Sequence, residues 1–258
     1  MKKYRIPIIL FVLLLFIIGL ITKGAIPQDI TYHSFTDNRT LFGIPNFWDV
    51  VSNFPMFAIG LYSLIQTFKK TNAPKTILTI CLPFVLSIGI MTTGIGSAYY
   101  HWSPNNTSLV WDRLPMTLVF MPFFSLLIYD FISPKVGRTT FFLLVPLGII
   151  SVLYWYYTES IGKGDLRLYA FVQFFPILIT PFIIWLFYKK KPYITHILYT
   201  FGWYLVAKLC EHFDEAIFGS LHSFWSGHTI KHLLSAVSLV YIVKIVTLWK
   251  EEAHTRLN

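Results

Sequence analysis

The chain has 258 residues, of which 55% are hydrophobic and 18% aromatic, while only 13% carry charge. That balance excludes an ordinary soluble domain and fits a chain that crosses a bilayer several times. The formal net charge of +9 would point to nucleic acid in a soluble protein, but the basic residues sit in short loops between apolar runs. Membrane topology accounts for them, and no nucleic-acid partner is expected.

Lys2, Lys3 and Arg5 precede an apolar run over 6–21, interrupted only by Pro7 and Gly19. No small-x-small cleavage pattern comes before Lys23, so 1–24 read as an additional, uncleaved N-terminal span. Residues 25–46 form a polar segment with Asp29, His33, Asp37 and Arg39, expected on the non-cytoplasmic side and over the mouth of the bundle. A second span is expected over 47–68, stopping at Lys69 and Lys70. A third runs over 76–100, with Gly89, Gly94 and Gly96 offering close helix contacts. The fourth is expected over 112–132, with Pro115 in its first turn, where a missing N–H costs least. The fifth covers 139–157, and the sixth covers 166–188 before Lys189, Lys190 and Lys191. The seventh starts near Ile194 and becomes charged at Lys208, Glu211, Asp214 and Glu215. The eighth covers 228–249, and 251–258 form a tail.

The fold class predicted is therefore all-α integral membrane: a seven-helix transmembrane bundle over 47–250 with one extra N-terminal helix. Lys2, Lys3, Arg5, Lys69, Lys70, Lys75, Lys135, Arg138, Lys189, Lys190, Lys191, Lys250 and Arg256 fall on one side of eight spans. Lys23, Arg39, Lys163 and Arg167 fall on the other. The positive-inside rule then places both termini in the cytoplasm. Cys81 and Cys210 lie in apolar segments without a CxxC spacing and read as packing residues. No internal repeat or low-complexity tract is present.

On this topology His101 ends the third span, Asp112 begins the fourth, and His228 and His232 begin the eighth, all on the non-cytoplasmic side. His228 and His232 are four apart, so their side chains share one helical face about 6 Å apart and can share a metal ion. The pair alone is a weak signal among eight histidines. His101 adds a third nitrogen, and three protein ligands with one open position are the pattern of catalytic zinc. Zinc lowers the pKa of a bound water to about 7. Ser97 lies one turn before His101 on the same face, as a helix-packing serine or as part of the site. Asp112 reads as a fourth ligand, an orienting carboxylate, a general base, or a helix-start residue favoured by the dipole. Lys208, Glu211, His212, Asp214 and Glu215 form a further cluster in which Lys208 and Glu211 are spaced to pair.

Ser-x-x-x-His, Asp followed by Leu-Pro-Met, and His-x-x-x-His in the last helix, with FWDVVSN over 47–53, together resemble the alkaline ceramidase family. These are membrane hydrolases in a wider group that includes adiponectin-receptor-like proteins. The likeness runs from about Phe47 to Trp249. It implies zinc on His101, His228 and His232, Asp112 taking a proton from the attacking water, and Ser97 helping to hold the oxyanion. It implies hydrolysis of the amide of a ceramide-like membrane lipid to a long-chain amine and a fatty acid. Two positions depart from the family. Members place Glu before Phe-Trp in a calcium site, and this chain has Asn46 there, with Asp49, Asp29 and Asp37 the acids nearby, which counts against calcium. Members also have Asp-Glu-Leu-Pro-Met where this chain has Asp112 and Arg113. Arg113 would pair with Glu211 or Asp214 around the site, or suit an anionic substrate or product. The alternative function is a receptor-like or lipid-binding bundle with a structural metal. A transporter is disfavoured because the polar groups gather at one end.

Overall fold

The structure, a computed structural model, describes residues 2–69 and 76–255, so Lys70, Lys75 and Arg256 lie outside the described residues. Every named element among the described residues is helical. The α-helices are α1 (Arg5–Lys23), α2 (Phe47–Val51), α3 (Phe54–Phe68), α4 (Ile77–Trp102), α5 (Asn106–Leu127), α6 (Pro134–Ser160), α7 (Arg167–Leu186), α8 (Ile194–His212), α9 (Asp214–Ser220) and α10 (Gly227–Thr255). A π-helical turn over Ile128–Ile132 continues α5.

Among the described residues, seven helical stretches are long and apolar enough to cross a membrane: α1, α2 with α3, α4, α5 with its π turn, α6, α7 and α10. The all-α, membrane-type architecture is as expected, but the count is seven where the sequence suggested eight. The difference is α8, whose 19 residues are interrupted by His196, Lys208, Glu211 and His212. Its hydropathy is correspondingly too low for it to stand with the other seven.

Several helix boundaries differ from expectation: α6 starts at Pro134 instead of 139, α10 runs on to Thr255 into the expected tail, and two further differences have clear local reasons. The run over 47–68 is broken at Ser52 and Asn53, because Pro55 has no N–H to offer the Val51 carbonyl one turn back. The fourth span begins at Asn106, not Asp112. Asn105 Oδ1 accepts from the N–H groups of Thr107 at 2.9 Å and Ser108 at 3.0 Å, and Ser108 Oγ accepts from Asn105 N–H at 3.1 Å. This reciprocal cap starts the helix early. Asp112 therefore sits in the second turn and Pro115 in the interior, so the helix-start reading of Asp112 and the first-turn reading of Pro115 are both corrected.

The chain divides into two compact units. One holds the residues up to Asp29 with Thr117–Lys190. In it Phe16 of α1 packs on Phe171 and Phe175 of α7, with ring centroids 6.0 and 5.6 Å apart. The chain after α1 is tied down by Leu166 N–H donating to Ile26 O at 2.8 Å and Gln28 N–H to Glu159 at 3.0 Å. The other unit holds Ile30–Met116 and the chain from Lys191 onward. Its helices pack as α3 on α4, α8 along α10, and α10 on α3. This second unit contains every residue of the site described next.

Candidate metal centre

His101 lies in the last turn of α4, and His228 and His232 lie in the first two turns of α10. The start of α10 is fixed by Ser226, whose hydroxyl accepts from Thr229 N–H at 3.0 Å as an N-cap. Asp214 Oδ1 accepts from His228 N–H at 2.8 Å, adding a carboxylate to the same positive helix end. Gly227 allows this docking, since a Cβ there would lie 2.1 Å from the Cys210 carbonyl oxygen.

All three imidazoles are buried, at 1%, 8% and 3% exposure for His101, His228 and His232. Their ring centroids are 4.7 to 4.9 Å apart. One ligand atom from each can be chosen so that all lie within 4.8 Å of one another, so the group could hold a metal ion. His101 Nε2 and His228 Nε2 are 3.2 Å apart. Two nitrogens bound tetrahedrally to one zinc at about 2.0–2.1 Å would be about 3.3–3.4 Å apart, so the spacing fits. The group contains no carboxylate, which removes Asp112 as a fourth member.

The surroundings orient the rings. His232 Nδ1 lies 2.8 Å from Ser52 Oγ, which lies 3.3 Å from the Asp49 carbonyl oxygen. A carbonyl only accepts, so one arrangement has Ser52 donating to Asp49 and His232 Nδ1–H donating to Ser52, with the Asn53 amide 3.4 Å from the same nitrogen. That tautomer leaves the Nε2 lone pair for an ion, as a hydrogen-bonded ligand histidine requires. The break between α2 and α3 is what aims Ser52 at this ring. Asn46 Nδ2 donates to the His101 carbonyl at 2.8 Å, while the buried His101 Nδ1 has no hydrogen-bond partner among the described residues. Phe35 covers the group, with ring centroids 4.4 Å from His101 and 5.4 Å from His228. The polar segment expected over the mouth thus reaches the histidines. His33 anchors it, 2.9 Å from Tyr100 Oη and 3.0 Å from Asn106 Oδ1.

Ser97 lies close enough to Asp112 for its hydroxyl to favour the carboxylate, so the structure brings the other two expected site residues together. Their helices touch at Gly96, where a Cβ would lie 1.8 Å from the Trp111 carbonyl oxygen. Arg113 places its guanidinium over the Tyr32 ring, 5.5 Å from the centroid. Glu211 pairs with Lys208 at 2.5 Å, as the spacing suggested, and with Lys231 at 3.0 Å. Asp37 is held bidentately by Arg39, and Asp49 accepts from Thr229 Oγ1 at 2.7 Å and Ser226 Oγ at 3.3 Å. Asp37 and one oxygen of Asp49 are thus engaged by protein groups, while the other Asp49 oxygen is buried without a hydrogen-bond partner among the described residues.

Sequence reasoning missed Ser52, Phe35, Asp49 with Thr229, and above all Lys231, whose ammonium lies 2.7 Å from His228 Nε2. The signal for Lys231 was its place three residues after His228, on the neighbouring helical face. No protein-family model matches the chain, and no curated protein matches it.

Proposed function

We propose that the chain is a multi-pass membrane hydrolase of the alkaline ceramidase type, cleaving the amide bond of a ceramide-like lipid to a long-chain amine and a fatty acid. The observation that carries this reading is the buried group of three imidazoles with the Ser97–Asp112 pair one helical turn from His101. His101, His228 and His232 would hold zinc. When bound, the ion supplies Lewis acidity toward the amide carbonyl and makes water acidic enough to attack at neutral pH.

Asp112 takes the proton of the attacking water and passes it to the leaving amine. Ser97 holds the carboxylate in place for the first of these steps. Once Asp112 carries the proton it becomes a donor, and the single Ser97 hydroxyl proton is released to turn toward the carbonyl oxygen. Phe35 shields the histidines from bulk water. On this reading both termini lie in the cytoplasm and the histidines on the other side, from the loop-charge asymmetry of the sequence. That topology needs α8 to cross as well. Its packing along α10, where Ser238 Oγ donates to Thr200 O at 2.9 Å, supports this.

The test is Asp112→Asn, assayed for bound metal and for fatty acid released from long-chain ceramides. The proposal expects retained metal and lost release. Undiminished release would refute the role of Asp112. Wild-type protein that binds metal and ceramide without any turnover would favour the receptor-like alternative.

A further inference from the structure

Lys231 stands between the two histidines of α10. Its Nζ lies 2.7 Å from His228 Nε2 and 3.0 Å from Glu211 Oε1. The other oxygen of Glu211 is taken by Lys208. Two ammonium groups therefore share one carboxylate. None of the other acids nearby bonds Lys231 directly: Asp214 accepts from the His228 N–H and Asp49 from Thr229, while Asp112 and Asp49 feel the ammonium only through space. Glu211 is the one carboxylate bonded to Lys231 among the described residues. The Lys231 side chain keeps 16% exposure, so the ammonium lies at the edge of the site rather than sealed beneath it.

An ammonium has three donors, and Lys231 uses one on Glu211 and one on His228. The contact with His228 occupies the lone pair that an ion would take, so the two exclude each other at that nitrogen. With an ion on the histidines, Lys231 keeps Glu211 and turns two donors toward whatever lies beside the ion. Two cations so close repel, and an anion between them relieves the repulsion.

We infer that Lys231 reads a carboxylate, and that the lipid amide bound here carries one close to its amide nitrogen, as an N-acyl amino acid does. This inference rests on the hydrolase reading above, keeps its amide cleavage, and replaces the neutral ceramide-like substrate with an acidic lipid amide. In an N-acyl amino acid the carboxylate carbon is three bonds from the reacting carbonyl carbon, a span of about 3–4 Å. Lys231 stands beside the histidine group in the structure, and once an ion displaced it from His228 its flexible side chain would still lie within reach of such a carboxylate. A ceramide places a hydroxymethyl group there, which accepts only a neutral hydrogen bond and leaves the repulsion unrelieved.

The test compares N-lauroylglycine with its neutral counterpart N-lauroylethanolamine on purified protein in detergent. Binding is read by equilibrium dialysis with mass-spectrometric quantification, and turnover by lauric acid released. Wild type is expected to bind the acid about tenfold or more tighter. Lys231→Met should bring that ratio close to one, and Lys231→Arg should retain it. Equal binding, or tighter binding of the neutral compound, by the wild type overturns the inference whether or not Lys231→Met folds. Preferential binding of the acid with no lauric acid released from either compound upholds the role of Lys231 and defeats the hydrolase reading. Release from both with no preference for the acid does the reverse.

Discussion

Replacing Gly96 by alanine should separate the chemistry from the metal. A Cβ at Gly96 would lie 1.8 Å from the Trp111 carbonyl oxygen and 2.6 Å from its carbon. A methyl carbon does not approach another heavy atom more closely than about 3.0 Å. The obstacle is backbone and cannot swing aside, so α4 and α5 must part by about 1 Å. Ser97 follows Gly96 and Asp112 follows Trp111, so the displacement falls on that pair. Overpacking of this kind costs about 1–3 kcal/mol of stability. A misplacement of about 1 Å in a positioned reacting group costs about 100-fold in rate. The histidines come from α4 and α10, so the metal should remain. Gly96→Ala is therefore expected to retain bound metal, melt at a lower temperature, and release fatty acid about 100-fold more slowly. Metal content, thermal unfolding in detergent and chromatographic fatty-acid quantification read the three effects. A lowered melting temperature with an unchanged rate would refute the assignment of Ser97 and Asp112 to the reaction.

Ser52→Ala removes the 2.8 Å partner of His232 Nδ1 and should weaken metal affinity about 10- to 100-fold, measured by competition with a chelator; unchanged affinity would remove Ser52 from the account. Thr229→Val takes the 2.7 Å donor from the buried Asp49 carboxylate and should cost about 1–3 kcal/mol in thermal unfolding, whereas an unchanged melting temperature would mean that Asp49 does not brace α10. The Arg167 guanidinium, through its hydrogen bonds, holds the Asp165 carboxyl below the usual carboxylate range. Such a group stabilises the fold above its unfolded value of about 3.9 and loses that contribution as pH falls through the lower folded value. Acidification below about pH 4 should therefore destabilise the wild type more steeply than Asp165→Asn, and superimposable melting curves across that range would contradict this.

The helical class and the three histidines were legible because both leave simple marks: long apolar runs, a four-residue spacing, and a histidine at the end of another run. The start of α5 was less so. An apolar pattern locates a helix face, whereas the first turn is set by Asn105 and Ser108, polar residues that such a pattern ignores. The break before α3 was signalled by Pro55, but the apolar run across it hid the interruption. The standing of α8 is a matter of degree, since it is apolar enough to pack along α10 yet carries Lys208 and Glu211 into the site. Lys231 was obscured by its neighbours: between two candidate ligands, a lysine reads as a solvated flank until its contacts with His228 and Glu211 are seen. Ser52 is 180 residues from His232, and no local pattern could pair them.

Metal content of the purified chain, set beside that of His101→Ala, bears most directly on the reading offered here. His101 comes from a different helix than His228 and His232, so its removal dismantles a shared centre while leaving the four-residue histidine pair of α10 intact. The account predicts about one zinc per wild-type chain and substantially less in the folded variant at the same free-zinc concentration. Equal zinc in both proteins, or a wild-type chain that takes up none, would contradict it.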